Sequence, residues 1–152
     1  MRLWKSTSMQ TFLPYRDFAQ SARVLDNKRL GKQRVEGFQI INASFRKTGG
    51  WVNHPATKMW KYHERLLLQY VQAMINEWEL RGFNNTIDLS KMYPDIWENR
   101  EDCGYPSWYV ENYHIEKIEI SHRSNLLKKD EKYYSQFNWN VPNDIAYHWP
   151  VK

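Results

Sequence analysis

One cysteine, Cys103, is all the chain of 152 residues contains, so no internal disulfide and no thiolate metal cluster can form. No run approaches the roughly 18 apolar residues that a membrane-spanning helix needs. The opening "MRLWKSTSMQTF" lacks the apolar stretch of a secretory signal. These absences point to a reducing, cytoplasmic setting with no membrane partner. Also absent are G-x-x-x-x-G-K-[ST], G-x-G-x-x-G, H-E-x-x-H and G-x-S-x-G, which argues against nucleotide hydrolysis and Rossmann cofactor binding. His54, His63, His114, His122 and His148 do not pair at metal-ligand spacing, so a bound catalytic metal is not expected. There is no repeat, low-complexity tract or flexible linker, and 152 residues fit one domain over 1–152 and an expected monomer.

What the chain has is basic charge and aromatic rings. Twenty-two Lys and Arg against 17 Asp and Glu give a formal charge of +5. That excess suits a polyanionic partner, although a merely basic soluble protein would look the same. Aromatics make up 16% of the residues. They can stack on unpaired bases or wedge into a duplex, with Trp51 and Trp60 as candidates, but most aromatics serve as core. At 41% hydrophobic, the composition supports a folded interior.

The spacing predicts a mainly α, compact single-domain helical bundle with irregular ends and no βαβ alternation. "MQTFLPY" reads as a short strand ended by Pro14. A first helix is expected over about Ser21 to Phe45, capped by Ser21 and stopped by Gly49-Gly50. A second follows "TGGWVNHP" over about Ala56 to Arg81, with Asn53 as candidate cap, Pro55 in its first turn and Gly82 after its end. Residues 83–106 read as turns with short helical pieces. A third helix is placed over about Trp108 to Ile118. A fourth is placed over "SHRSNLLKKDEKYYSQF", capped by Ser121 or Ser124.

The segment "LDNKRLGKQRVEG" sets the acid Glu36 among Lys28, Arg29, Lys32 and Arg34. Helical steps of three and four put Asp26, Arg29, Gln33 and Glu36 on one face, away from Leu30, Phe38 and Ile41. Glu36 is either a carboxylate available for acid/base or electrostatic work, or an ordinary ion pair with Lys32 at i, i+4, and pattern alone favours the pair. In "GGWVNHP", Asn53 and His54 either meet a phosphate or base, or simply connect two helices. His122, Arg123 and Ser124 at a helix start would make a phosphate clamp or a capped basic helix. Lys58, Lys61 and Arg65 form a solvated face that could extend a phosphate-binding surface.

Together, "LDNKRLGKQRVEG", "GWVNHPATKMW" and "HRSNLLKKDEKYY" resemble the small bacterial relatives of the pyrimidine-dimer DNA glycosylases of the phage endonuclease V type. The resemblance covers about residues 9–150. It implies an all-helical domain acting on damaged or modified bases in double-stranded DNA without metal or cofactor. In that family a free N-terminal amine attacks the sugar C1′, a Schiff base forms, and β-elimination can cut the strand. The glutamate essential on the family's first helix aligns with Glu36. A carboxylate there would stabilise the oxocarbenium-like charge of glycosidic cleavage and move protons. The amine would belong to Met1, since Arg2 is too bulky for removal of Met1. Relatives commonly begin at the equivalent of Met9, so residues 1–8 read as a candidate N-terminal extension. A nucleophile displaced from Glu36 would leave an activated water in its place. The resemblance makes Arg29 a DNA contact and His54 structural or DNA-positioning; with a DNA substrate, Lys28, Lys32, Gln33, Arg34, Asn53, Lys58, His122, Arg123 and Ser124 are the further expected DNA-binding residues. The alternatives are a non-catalytic nucleic-acid-binding protein on the same scaffold, or a hydrolase of another class.

Overall fold

The structure, a computed structural model, describes residues 9–151. Eight α-helices follow in order among them: α1 (Phe18–Val24), α2 (Asn27–Ile41), α3 (Pro55–Lys58), α4 (Glu64–Leu80), α5 (Leu89–Met92), α6 (Ser107–Val110), α7 (Asn112–Lys129) and α8 (Glu131–Tyr134). There is no strand among the described residues. Residues 9–13 are extended, but their polar backbone groups bond to side chains rather than to a neighbouring strand.

The expected first helix is two. Asp17, not Ser21, caps α1, its Oδ1 accepting the Gln20 N–H at 2.8 Å. Ser21 lies buried inside the helix, where its hydroxyl donates to the Tyr15 carbonyl at 2.7 Å. Leu25 and Asp26 are extended (ψ 137° and 160°), which separates α1 from α2. The break buries Leu25 completely. It also frees the Asp26 carboxylate from capping to meet Arg29 and the Tyr134 hydroxyl. After Ile41 the helix widens into a π turn, Asn42–Arg46, ended by Lys47 in the left-handed region.

The expected second helix is also divided. His54, not Asn53, caps α3 by accepting the Ala56 N–H on its side chain, and Pro55 takes the first position. Tyr62, at φ 69°, interrupts the path between α3 and α4. Gly82, at φ 90°, ends α4 as expected. The third and fourth helices redistribute. Residues 121–129 belong to α7, whose start is at Asn112, and Ser121 and Ser124 are buried within it rather than capping it.

One hydrophobic core, containing Leu13, Leu30, Ile40, Trp60, Leu67, Tyr70, Met74 and Tyr134, runs from the extended segment to α8. Trp60 is fully buried, so the expectation that it stacks on DNA is corrected. The irregular tail packs down through Trp139, Tyr147 and Trp149. The most extensive helix pairing is α2 against α4. It is close because α2 carries glycines at the seam. A Cβ on Gly37 would meet Val71 Cγ2 at 2.6 Å, and one on Gly31 would meet the Trp78 ring at 2.9 Å.

Gly37→Ala is therefore expected to destabilise the protein by about 1–3 kcal/mol through overpacking, although alanine favours helix by roughly 1 kcal/mol over glycine. Urea denaturation of the variant, alone and combined with Val71→Ala, checks this. The double variant should recover part of the loss.

Candidate active site

Gln33 organises the site. It is buried in α2, and its amide brackets the extended segment. Oε1 accepts the Phe12 N–H at 2.9 Å and Nε2 donates to the Gln10 carbonyl at 2.8 Å. From α4, the Tyr70 hydroxyl lies 2.7 Å from the Phe12 carbonyl and 2.6 Å from Gln33 Oε1. From α7, His122 Nδ1 accepts the Leu13 N–H at 2.8 Å. Trp60 Nε1 donates to Thr11 Oγ1 at 3.1 Å. Buried backbone groups must find partners, and here side chains from three helices provide them.

This anchoring lays residue 10 over Glu36, one turn beyond Gln33. Glu36 receives a backbone hydrogen bond from Gln10 and a longer ion pair from Lys32, at 3.7 Å. Its side chain is only 16% exposed, while that of Lys32 is 56% exposed. Burial raises the Glu36 carboxyl above the ordinary glutamate range, with Lys32 and the Gln10 hydrogen bond pulling the other way. The carboxylate faces a cleft of about 90 Å³ whose walls include Phe12, Lys28, Arg29, Lys32, Gln33 and Lys129. A group that is partly desolvated yet ringed by cations can hold a negative charge and still exchange a proton.

Arg29 is fixed by a second relay. Its guanidinium pairs with Asp26 at 3.2 Å, and Asp26 accepts the short hydrogen bond of the Tyr134 hydroxyl. Burial, then that hydrogen bond, pushes the Tyr134 hydroxyl far above the usual tyrosine range. Lys129 at the end of α7 completes the cationic wall. Burial lowers its ammonium, and the charges of Arg29 and Lys32 lower it further. The Tyr147 hydroxyl feels both Arg29 and Glu36, and it and Gln10 Nε2 are buried without a hydrogen-bond partner among the described residues.

The sequence expectations divide accordingly. Lys28, Arg29, Lys32, Gln33 and Glu36 come together at one cleft. Arg34 points away, donating to Asn85 Oδ1 at 2.8 Å and lying over the Trp78 ring. Arg123 donates to the Pro14 carbonyl at 2.7 Å and covers Tyr15 and Trp139. The helix-start clamp of His122, Arg123 and Ser124 is corrected. These residues lie mid-helix, His122 and Ser124 are buried, and the Ser124 hydroxyl accepts the Ile145 N–H at 2.9 Å. Asn53 and Lys58 line a separate cavity near the π turn, while His54 is buried beside them. Arg65 is partly buried rather than solvated and donates to the Asn99 carbonyl at 2.8 Å. Met1 and the expected extension 1–8 lie outside the described residues. Sequence reasoning missed Lys129, Tyr147 and Gln10. Only Lys129 carried a signal, in the basic end of "HRSNLLKKD".

No group of three or more His, Cys, Asp or Glu residues suited to a metal occurs among the described residues. Among the same residues, no helix is long and apolar enough to cross a membrane. The family model described as pyrimidine dimer DNA glycosylase matches residues 9–91, more than half of the chain. No curated protein and no solved structure matches.

Two buried histidines give a pH test of this geometry. Burial lowers the imidazolium of His122 to about 3 and that of His54 to about 4. Against about 6.5 in the unfolded chain, the folded state binds fewer protons between those limits. Stability is therefore fully present above pH 6.5 and falls as pH drops, by up to about 1.4 kcal/mol per pH unit for His122 down to about pH 3, and by less for the incompletely desolvated His54 down to about pH 4. Denaturation midpoints at pH 7, 5.5 and 4 should show the fall. His122→Gln, whose amide oxygen can still accept from Leu13, should show a shallower one. An equal slope in that variant would contradict a buried neutral imidazole.

Proposed function

The chain belongs to the pyrimidine dimer DNA glycosylase family, and from that premise we propose that it is a DNA repair glycosylase whose catalytic carboxylate is Glu36. The family supports a DNA substrate and glycosidic cleavage. The single observation that supports the residue is a half-desolvated carboxylate in a cationic cleft, touched by the chain's N-terminal segment at Gln10.

The target nucleotide must leave the stack to reach such a cleft. Arg29, Lys28, Lys32 and Lys129 hold the phosphates around it, which makes affinity salt-dependent. As the base departs with the electrons of the C1′–N bond, positive charge grows on the sugar. The Glu36 carboxylate lies where it can stabilise that charge. The nucleophile is then an amine carried by the N-terminal segment or a water deprotonated by Glu36. With an amine, the nitrogen bonds to C1′ and loses a proton to the carboxylate. Ring opening gives a Schiff base, and loss of a C2′ proton expels the 3′ phosphate, cutting the strand. With water, the product is an intact abasic site. Phosphate contacts by Asn53 and Lys58 belong to this reading, on the surface beyond the cleft.

Glu36→Gln should lower glycosidic cleavage in duplex DNA carrying a pyrimidine dimer, read as alkali-labile abasic sites, by about 10²–10⁴-fold, while DNA affinity changes by no more than a few-fold. The acid limb of the wild-type pH profile should lie above the pKa of free glutamate, because burial raises the carboxyl. Borohydride reduction during turnover separates the two nucleophiles: a covalent protein–DNA adduct supports the amine, and abasic sites formed without one support water. Retention of wild-type glycosidic cleavage in Glu36→Gln would remove Glu36 from the mechanism. A wild-type chain that binds duplex but gives neither adduct nor glycosidic cleavage would favour a binding protein.

A further inference from the structure

A second cavity, of about 130 Å³, opens where the π turn after α2 meets α3. Its wall carries Lys47, Lys58 and Lys61 together with Ser44, Asn53 and Thr57, and no acid. Thr57 is 2% exposed, and its hydroxyl is buried with no hydrogen-bond partner among the described residues. A buried polar group left unsatisfied costs about 1–3 kcal/mol, so an orphaned hydroxyl facing a cavity favours a ligand that bonds to it. The other hydroxyl is already committed. Ser44 donates to Glu64 Oε2 at 2.5 Å, and that same carboxylate oxygen accepts the Tyr62 N–H at 3.1 Å. The acid behind the cavity is thus held by two donors of its own. Three ammonium groups, one hydroxyl and one carboxamide make a donor set that excludes cations and suits a tetrahedral oxyanion.

We propose that this cavity is a phosphate-binding socket and that its phosphate belongs to the DNA backbone, an inference that rests on the DNA reading above. A chain of ring contacts, buried at its Phe12 and His54 ends, spans the distance from the socket to the Glu36 cleft. Phe12, on the cleft wall, contacts Tyr147 with ring centres 6.3 Å apart. Tyr147 contacts Trp149 at 5.8 Å, and Trp149 contacts His54 at 5.8 Å. His54 adjoins Asn53 of the socket. Three such steps stay well within one duplex turn of about 34 Å. One bound duplex can therefore place a nucleotide at the cleft and a backbone phosphate at the socket. The socket reads no base. It fixes register, as most protein–phosphate contacts do.

Fluorescence anisotropy with undamaged labelled duplex at several salt concentrations, beside titration of the full chain with inorganic phosphate followed by amide NMR, tests the proposal. The double variant Lys47→Gln, Lys61→Gln should bind duplex about tenfold more weakly at 0.1 M salt. Its log affinity against log salt slope should flatten by about one, for the single phosphate the socket holds. Thr57→Val should weaken binding a few-fold with the slope unchanged and with thermal stability at least that of wild type. Unchanged affinity and slope in every variant overturn the DNA assignment. If inorganic phosphate then still shifts the Thr57 and Lys61 amides in wild type but not in Thr57→Val, the socket takes free phosphate. If phosphate shifts neither, there is no socket. A wild-type chain that binds no duplex defeats the glycosylase reading itself, and the phosphate titration alone then decides the socket.

Discussion

The Gln33 bracket holds the molecule's geometry together. An extended segment without a sheet has no ladder to satisfy its amides, and buried amides cannot be left open. The chain solves this with one carboxamide that both accepts and donates across two residues of the segment, at 2.9 and 2.8 Å. Tyr70 and His122 add partners from helices on other sides. A carboxamide is suited to the task because it carries a donor and an acceptor on one planar group. An aliphatic residue at 33 would fill the volume and leave two backbone groups of the segment unsatisfied.

The position of Glu36 follows from that bracket. With Gln10 held over α2, the carboxylate is desolvated from above and meets cations on its open side. Desolvation and positive charge pull its proton affinity in opposite directions, and desolvation is the stronger. The acid among cations is therefore more than a surface ion pair. Its Lys32 contact is long and its partner is mostly solvated, which makes the pair weak and exchangeable. Arg29, by contrast, is held in place through Asp26 and Tyr134, so the cationic wall is partly rigid and partly mobile.

How much of this was legible varied with the kind of signal. The helical character, Pro55 at a helix start and Gly82 at a helix end follow from local rules, and they hold. The grouping of Arg29, Gln33 and Glu36 on one face followed from periodicity and also holds, although Gln33 acts inward. The helix boundaries failed where tertiary demands overrode local pattern. Leu25 leaves the helix to bury itself, and Tyr62 adopts a conformation rare for its type. "SHRS" looked like a cap because its residues are good caps, but α7 had begun nine residues earlier at Asn112 and used their hydroxyls and imidazole inside. Gln10 was illegible because its role comes from a backbone group, which no side-chain pattern encodes.

The family match ends at Lys91, yet the cleft does not close within that span. Lys129 comes from α7, Tyr134 fixes Asp26 from α8, and Tyr147 reaches Arg29 and Glu36 from the tail. His122 anchors the extended segment itself. The first half thus supplies the carboxylate and most of the cations, and the second half supplies the contacts that set where they stand. Changes confined to residues 112–149 can therefore alter the proton affinity of Glu36 and the pose of Arg29 without touching the matched segment. In such a fold, conservation of the glutamate alone would not guarantee conservation of its chemistry, because its environment is assembled from both halves.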